Sequence, residues 1–128
     1  MSGVTGFTGW IGTVLDTPEP RALGAFYAGL VGGEVDATDP GFVTLRLGEG
    51  SYYLAFQTEA RHARPTWPAG PGDQQMQLHL DIGVSDVEAA VRDAEALGAR
   101  LADLQPQEDV RVMLDPAGHP FCLYLDTD

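Results

Sequence analysis

Alternating and helical runs of apolar residues follow one another in the same order twice along the chain. Residues 10–16 (WIGTVLD) alternate and predict a strand. Thr17-Pro18-Glu19-Pro20 is a turn that opens a helix, because proline suits a first helical turn, where its missing N–H is not needed. Leu23, Phe26, Tyr27 and Leu30 recur at helical spacing over 21–30, and Gly32-Gly33 ends the run. Strands are predicted at 34–38, 42–47 and 51–57, with Asp39-Pro40-Gly41 and Gly48-Glu49-Gly50 as turns. The order is β-α-β-β-β.

The second half repeats that order. Residues 76–84 (MQLHLDIGV) predict a strand, and Ser85 reads as a helix cap, with Glu88 three residues on to complete a capping box. Val87, Ala90, Val91, Ala94 and Leu97 form the buried stripe, and Gly98 stops the helix. Strands follow at 100–104, 110–114 and 121–125, the last after the turn Asp115-Pro116-Ala117-Gly118. An offset of 67 registers the halves: Gly12 falls on His79, Leu15 on Ile82, Leu45 on Val112 and Ala55 on Cys122. The predicted fold class is α+β, a single domain over 1–128 built of two βαβββ units, 10–57 and 76–126. The joining segment 58–75 holds Pro65, Pro68, Pro71, Gly70 and Gly72 and reads as linker or lid. Trp67, at its middle, anchors on the body, covers a ligand mouth or sits on a partner.

Strand side chains alternate in face. Ile11, Thr13 and Leu15, Leu54 and Phe56, Leu78, Leu80, Ile82 and Val84, and Phe121, Leu123 and Leu125 form the sets expected to pack on the helices. The opposite faces carry Trp10, Val14, Tyr53, Gln57, Gln77, His79, Cys122 and Tyr124. Two four-stranded mixed sheets, each with a helix on its outer face, are expected to curve into a central cup lined by those eight residues. Aromatic rings with a few polar groups are the lining of a small-molecule pocket, and also of a partly polar dimer contact.

Composition narrows the chemistry. With 128 residues, 44% of them hydrophobic, the chain is long enough for one core without staples. Its net charge is -12, from 7 basic and 19 acidic residues, and it contains no lysine. Nucleic acids and anionic membranes are bound largely through neutralised phosphates, so they are poor partners. Arg61, His62 and Arg64 form the one local positive group, read as an anion contact or as a solvated loop. Cys122 is the single cysteine, which excludes an intrachain disulfide and a four-cysteine zinc site. It reads as strand packing rather than a nucleophile, since acids surround it. No apolar run approaches a membrane span, and residues 1–9 lack the cationic start of a signal peptide, so the expected compartment is the cytoplasm. No glycine run has the spacing of a phosphate loop.

The segments PRALGAFYAGLVGGEV, MQLHLDIGVSDVEAAVRDAEALGA and LDPAGHPFCLYL resemble the vicinal oxygen chelate superfamily, the glyoxalase/bleomycin-resistance/extradiol-dioxygenase group. They are most similar to its small glyoxalase-like proteins. The resemblance implies metal-dependent lyases, isomerases and dioxygenases as well as metal-free proteins that sequester antibiotics. It also implies pairing into a homodimer. In the enzymes each unit's first strand offers a histidine or another ligand, and each unit's last strand a glutamate. Here those positions hold Gly12 and His79, and Ala55 and Cys122. Two of the four carry no donor, so His79 is the only retained ligand type and no metal or other cofactor is expected. A divalent ion on His79 and Cys122 with Asp81 or Tyr124 departs from the family pattern. His119 resembles the family's turn residue and reads as structural.

Three readings follow. The first is a metal-free protein that binds a small, partly aromatic molecule in the cup. The second is a metal-dependent enzyme of the superfamily, for which His79 is the one feature. The third is an interaction module with no small-molecule role.

Overall fold

A computed structural model describes residues 3–127. The chain divides into two compact units, Met1–Ala60 and Arg61–Asp128. Each is a four-stranded mixed sheet with one helix, in the βαβββ order expected.

In the first unit, β1 (Ile11–Thr17) leads through α1 (Pro20–Val31) to β2 (Glu34–Asp36), β3 (Phe42–Arg46) and β4 (Tyr52–Thr58), in the spatial order β1-β4-β3-β2. β1 runs parallel to β4, and the other pairs are antiparallel. Pro20 stands in the first turn of α1, and the Thr17 hydroxyl accepts from the Glu19 N–H at the entrance. Leu23, Phe26 and Tyr27 are buried against Val43, Leu45, Leu54 and Phe56. Tyr27 stacks on Phe56, with ring centroids 5.6 Å apart, which ties helix to sheet through aromatic area.

The second unit repeats the arrangement with β5 (Leu80–Val84), α2 (Val87–Leu97), β6 (Arg100–Leu101), β7 (Val110–Leu114) and β8 (Pro120–Leu125), in the order β5-β8-β7-β6. Ala94, Met113, Phe121 and Leu123 make its centre. α2 ends at Gly98, whose φ of 114° is left-handed and whose N–H returns to Ala94 and Glu95.

Several local expectations are corrected. The α2 cap is Asp86, not Ser85: its carboxylate accepts from the Ala89 N–H at 3.0 Å. The strand expected from Met76 begins only at Leu80, so Gln77 and His79 precede it and Leu78 is exposed. The strand expected over 100–104 is two residues long, because the Gln105 amide takes over its ladder. Gln105 Oε1 accepts from the Val112 N–H, and Nε2 donates to the Val112 and Ala102 carbonyls. Ile11, expected on the helix side, is 64% exposed, because β1 is an edge strand and α1 packs mainly on β3 and β4. Leu125, at the end of β8, and Leu97, at the end of α2, are likewise exposed.

The offset of 67 holds for the parallel pairs. Val14 stands opposite Ala55, and Asp81 opposite Cys122. It fails at the antiparallel hairpin. Leu45 pairs with Leu54 and Met113 with Phe121, so Leu45 corresponds to Met113 and not to Val112. The cause is a hairpin loop one residue shorter in the second unit, between Leu114 and Pro120 rather than between Arg46 and Tyr53.

Candidate functional site

Each sheet turns one face to its helix and leaves the other without one, and the expected site residues sit on or beside those helix-free faces. In the first unit, Trp10 precedes β1 and is 44% exposed. Its ring centroid lies 6.4 Å from that of Tyr53, tilted by 47°. The Arg46 guanidinium stands 5.3 Å from the Trp10 centroid, in cation–π range. Arg46 and Tyr53 are register partners, so β3 and β4 deliver both to one place. Val14 is exposed beside them, and Gln57 donates a long bond of 3.5 Å to Asp16. An exposed indole, a phenol and a guanidinium thus form a platform for a flat ring, with an amide and a carboxylate further along the strands. The eight-residue lining expected from the sequence lacks Arg46. Its signal was available, since strand alternation puts Phe42, Thr44 and Arg46 on the same face as Tyr53.

Gly12 explains how the platform is built. A Cβ there would stand 2.3 Å from the Tyr53 ring, so the bare Cα is what lets the phenol lie across β1. The second unit uses the same device four residues further along its strands. Gly83 faces Tyr124 in register, and a Cβ on Gly83 would stand 2.9 Å from the Tyr124 Oη.

The second unit brings together His79, Asp81 and Cys122. His79 stands just before β5 and Asp81 within it, with His79 Nε2 at 3.1 Å from Asp81 Oδ1. Asp81 and Cys122 are register partners across the parallel pair. One ligand atom from each of the three lies within 4.8 Å of the others. Burial pushes the Cys122 thiol up from its ordinary pKa. The nearby Asp81 charge and a bond donated to the Asp81 carboxylate add to that shift. Each of these causes favours the protonated thiol. Tyr124 is exposed on the same strand, and Gln77 is exposed ahead of β5.

The positive group of the joining segment has a structural use. His62 Nε2 shares a hydrogen bond with the Ala117 carbonyl at 2.8 Å, and Arg64 Nη1 donates to the Pro116 carbonyl at 2.7 Å. Both grip the hairpin whose buried Asp115 accepts from the Ala117 and His119 amides, which gives His119 the structural setting expected of it. Trp67 is half-buried within the same unit, and its peptide bond to Pro68 is cis.

The sequence profile of the glyoxalase-like domain family matches residues 12–124. The chain belongs to that family. Solved structures agree on the fold. A glyoxalase/bleomycin resistance protein/dioxygenase family enzyme from Burkholderia phytofirmans PsJN is 20% identical, with a TM-score of 0.65 over 89% of this chain and 95% of that one. The genomically encoded fosfomycin resistance protein of Listeria monocytogenes is 13% identical, with a TM-score of 0.68 over 94% and 95%. Lactoylglutathione lyase from Agrobacterium tumefaciens is 18% identical, with a TM-score of 0.59 over 94% and 96%. No functionally curated protein matches the chain. The vicinal oxygen chelate resemblance is thereby established at the level of fold and family.

The divalent centre that the resemblance implies does not fit these residues. Gly12 and Ala55 offer no donor atom, and the Tyr53 ring occupies the space above Gly12. Among the described residues no helix is long and apolar enough to cross a membrane.

Proposed function

We propose that this glyoxalase-like protein binds a small, partly aromatic molecule on the helix-free face of its first sheet, and sequesters or carries it. The observation that carries this reading is the exposed Trp10–Tyr53–Arg46 platform, held in place by Gly12. A flat ring gains stacking area on such a surface at little conformational cost, because both aromatic side chains are already ordered against their neighbours. Gln57 and Asp16 supply polar contacts for orientation. This face needs no metal, and the missing donors at Gly12 and Ala55 argue against the family's catalytic centre. The homodimer and the cytoplasmic setting go with this reading as expectations, and light scattering on purified protein tests the first.

The binding test is a fluorescence and ligand-observed NMR titration with a panel of small aromatic molecules, run in the presence of a chelator. Saturable binding that quenches Trp10 and is lost in Trp10→Ala, with the melting temperature unchanged, is the expected result. Failure of every compound to saturate, or equal binding by Trp10→Ala, would sink the proposal.

A further inference from the structure

Resting on the reading of the Trp10–Tyr53–Arg46 face as the binding face, the geometry points to the class of its ligand: a planar aromatic that carries a single carboxylate, held by Arg46. Arg46 is the one basic side chain on any strand of the first sheet. It is exposed, and among the described residues it makes no ion pair and no hydrogen bond. What its guanidinium faces is the Trp10 indole, 5.3 Å away.

An acid is close at hand for it. Glu34 on β2 is its register partner across the antiparallel pair, so the two side chains leave the sheet on one face. The guanidinium nonetheless stands on the other flank, over the residue that leads into β1. A guanidinium over a ring keeps its N–H donors for an acceptor in its own plane. Arg46 therefore offers a fork of unused donors beside an aromatic surface. Other arginines are already engaged. Arg64 donates to the Pro116 carbonyl, and Arg111 to the carbonyls of Gln107, Glu108 and Val110.

Charge sets what the fork takes. A carboxylate matches it through two parallel charge-assisted bonds. One guanidinium balances one negative charge, and a chain of net charge -12 has no lysine to balance a second. A phosphate monoester, close to a dianion at neutral pH, fits less well. The acids of the same sheet fix where the carboxylate lies. Asp16 and Gln57 are paired four residues beyond Gly12 and Tyr53, about 13 Å along the strands and past the screening length of about 8 Å. Asp36, two residues along β2 from Glu34, is turned onto the Thr38 N–H. The platform is thus basic at its Arg46 end and acidic at its Asp16 end. A ring lying over Trp10 and Tyr53 places its carboxylate at the first end. Glu34 competes for the guanidinium and loosens that hold.

Isothermal titration calorimetry on the full, tag-free chain, with chelator present, compares three probes on one ring system. They are 2-naphthoate, the neutral 2-naphthamide and the cation 2-naphthylmethylammonium. The carboxylate is expected to bind about tenfold or more tightly than the amide, the scale of a charge-assisted hydrogen bond, and the ammonium weakest. Arg46→Gln should bring the carboxylate-to-amide ratio close to one. Arg46→Lys, which keeps the charge and loses the fork, should restore part of it. Glu34→Gln should raise the ratio about twofold, as fits an exposed competing charge. Added salt should lower it. Circular dichroism melts check that the variants fold. A parental ratio near one, an ammonium bound best, or a ratio that survives Arg46→Gln overturns the carboxylate assignment. In that case loss of amide binding in Trp10→Ala shows that the platform itself stands. If none of the three probes saturates, the platform falls and this inference with it.

Discussion

The phenol ring of Tyr53 lies across the bare Cα of Gly12, its register partner on the neighbouring parallel strand. The consequence is a double-mutant signature. Gly12→Ala alone forces the ring aside and is expected to cost about 1–3 kcal/mol, the range of overpacking substitutions. In a Tyr53→Ala background the same alanine meets no ring and should be neutral or mildly stabilising. Urea melts of the four proteins give the coupling directly. Additive costs would show that Tyr53 does not rest on Gly12.

The start of α2 separates two neighbouring residues. Asp86 caps the helix through the Ala89 N–H. Asp86→Ala is expected to lower stability by about 1 kcal/mol, while Ser85→Ala should change it by no more than a few tenths. Thermal or urea melts decide between them, and the reverse ranking would restore Ser85 as the cap.

That pair also shows what the sequence carried and what it did not. The doubled βαβββ order follows from periodicity and one offset; the register that sets Val14 opposite Ala55, and Asp81 opposite Cys122, comes from the structure, and the offset holds between the two pairs. Ser85 and Asp86 are both good caps by chemistry, and only the backbone decides which stands at the last extended position. The strand over 100–104 was lost to Gln105, because a side-chain amide can imitate a ladder and no local pattern announces it. Trp10, Tyr53 and Gln57 were legible from alternation. Arg46 was legible by the same rule, but its strand was not followed to its outer face. The grouping of His79 and Cys122 with Asp81 was also legible from strand facing, and the structure brings one ligand atom of each within 4.8 Å of the others.

Asp115 should matter more than its place in a turn suggests. It is 2% exposed and accepts two backbone N–H bonds of 2.9 Å, from Ala117 and His119. Asp115→Ala leaves both donors without their carboxylate and is expected to cost about 3 kcal/mol. Hydrogen exchange should speed at the His119 amide in particular. A loss below about 1 kcal/mol would mean that water replaces the carboxylate without penalty.

Cys122 is expected to react slowly, and Asp81 is part of the reason. Burial raises the thiol pKa first, and the Asp81 charge and hydrogen bond raise it further. An unfolded thiol ionises near about pH 8.5, so the folded chain, which resists ionisation, gains stability that is fully present below that pH. The gain fades as the pH rises through the higher folded pKa. Alkylation of the metal-free protein at neutral pH should therefore be severalfold slower than in denaturant. Asp81→Asn removes the negative charge, lowers the thiol pKa towards its ordinary value and should speed the reaction. Because burial remains, the variant should still react more slowly than the unfolded chain. An Asp81→Asn rate equal to the parent's would show that Asp81 does not bear on the thiol, and a rate equal to the denatured chain's would show that burial does not.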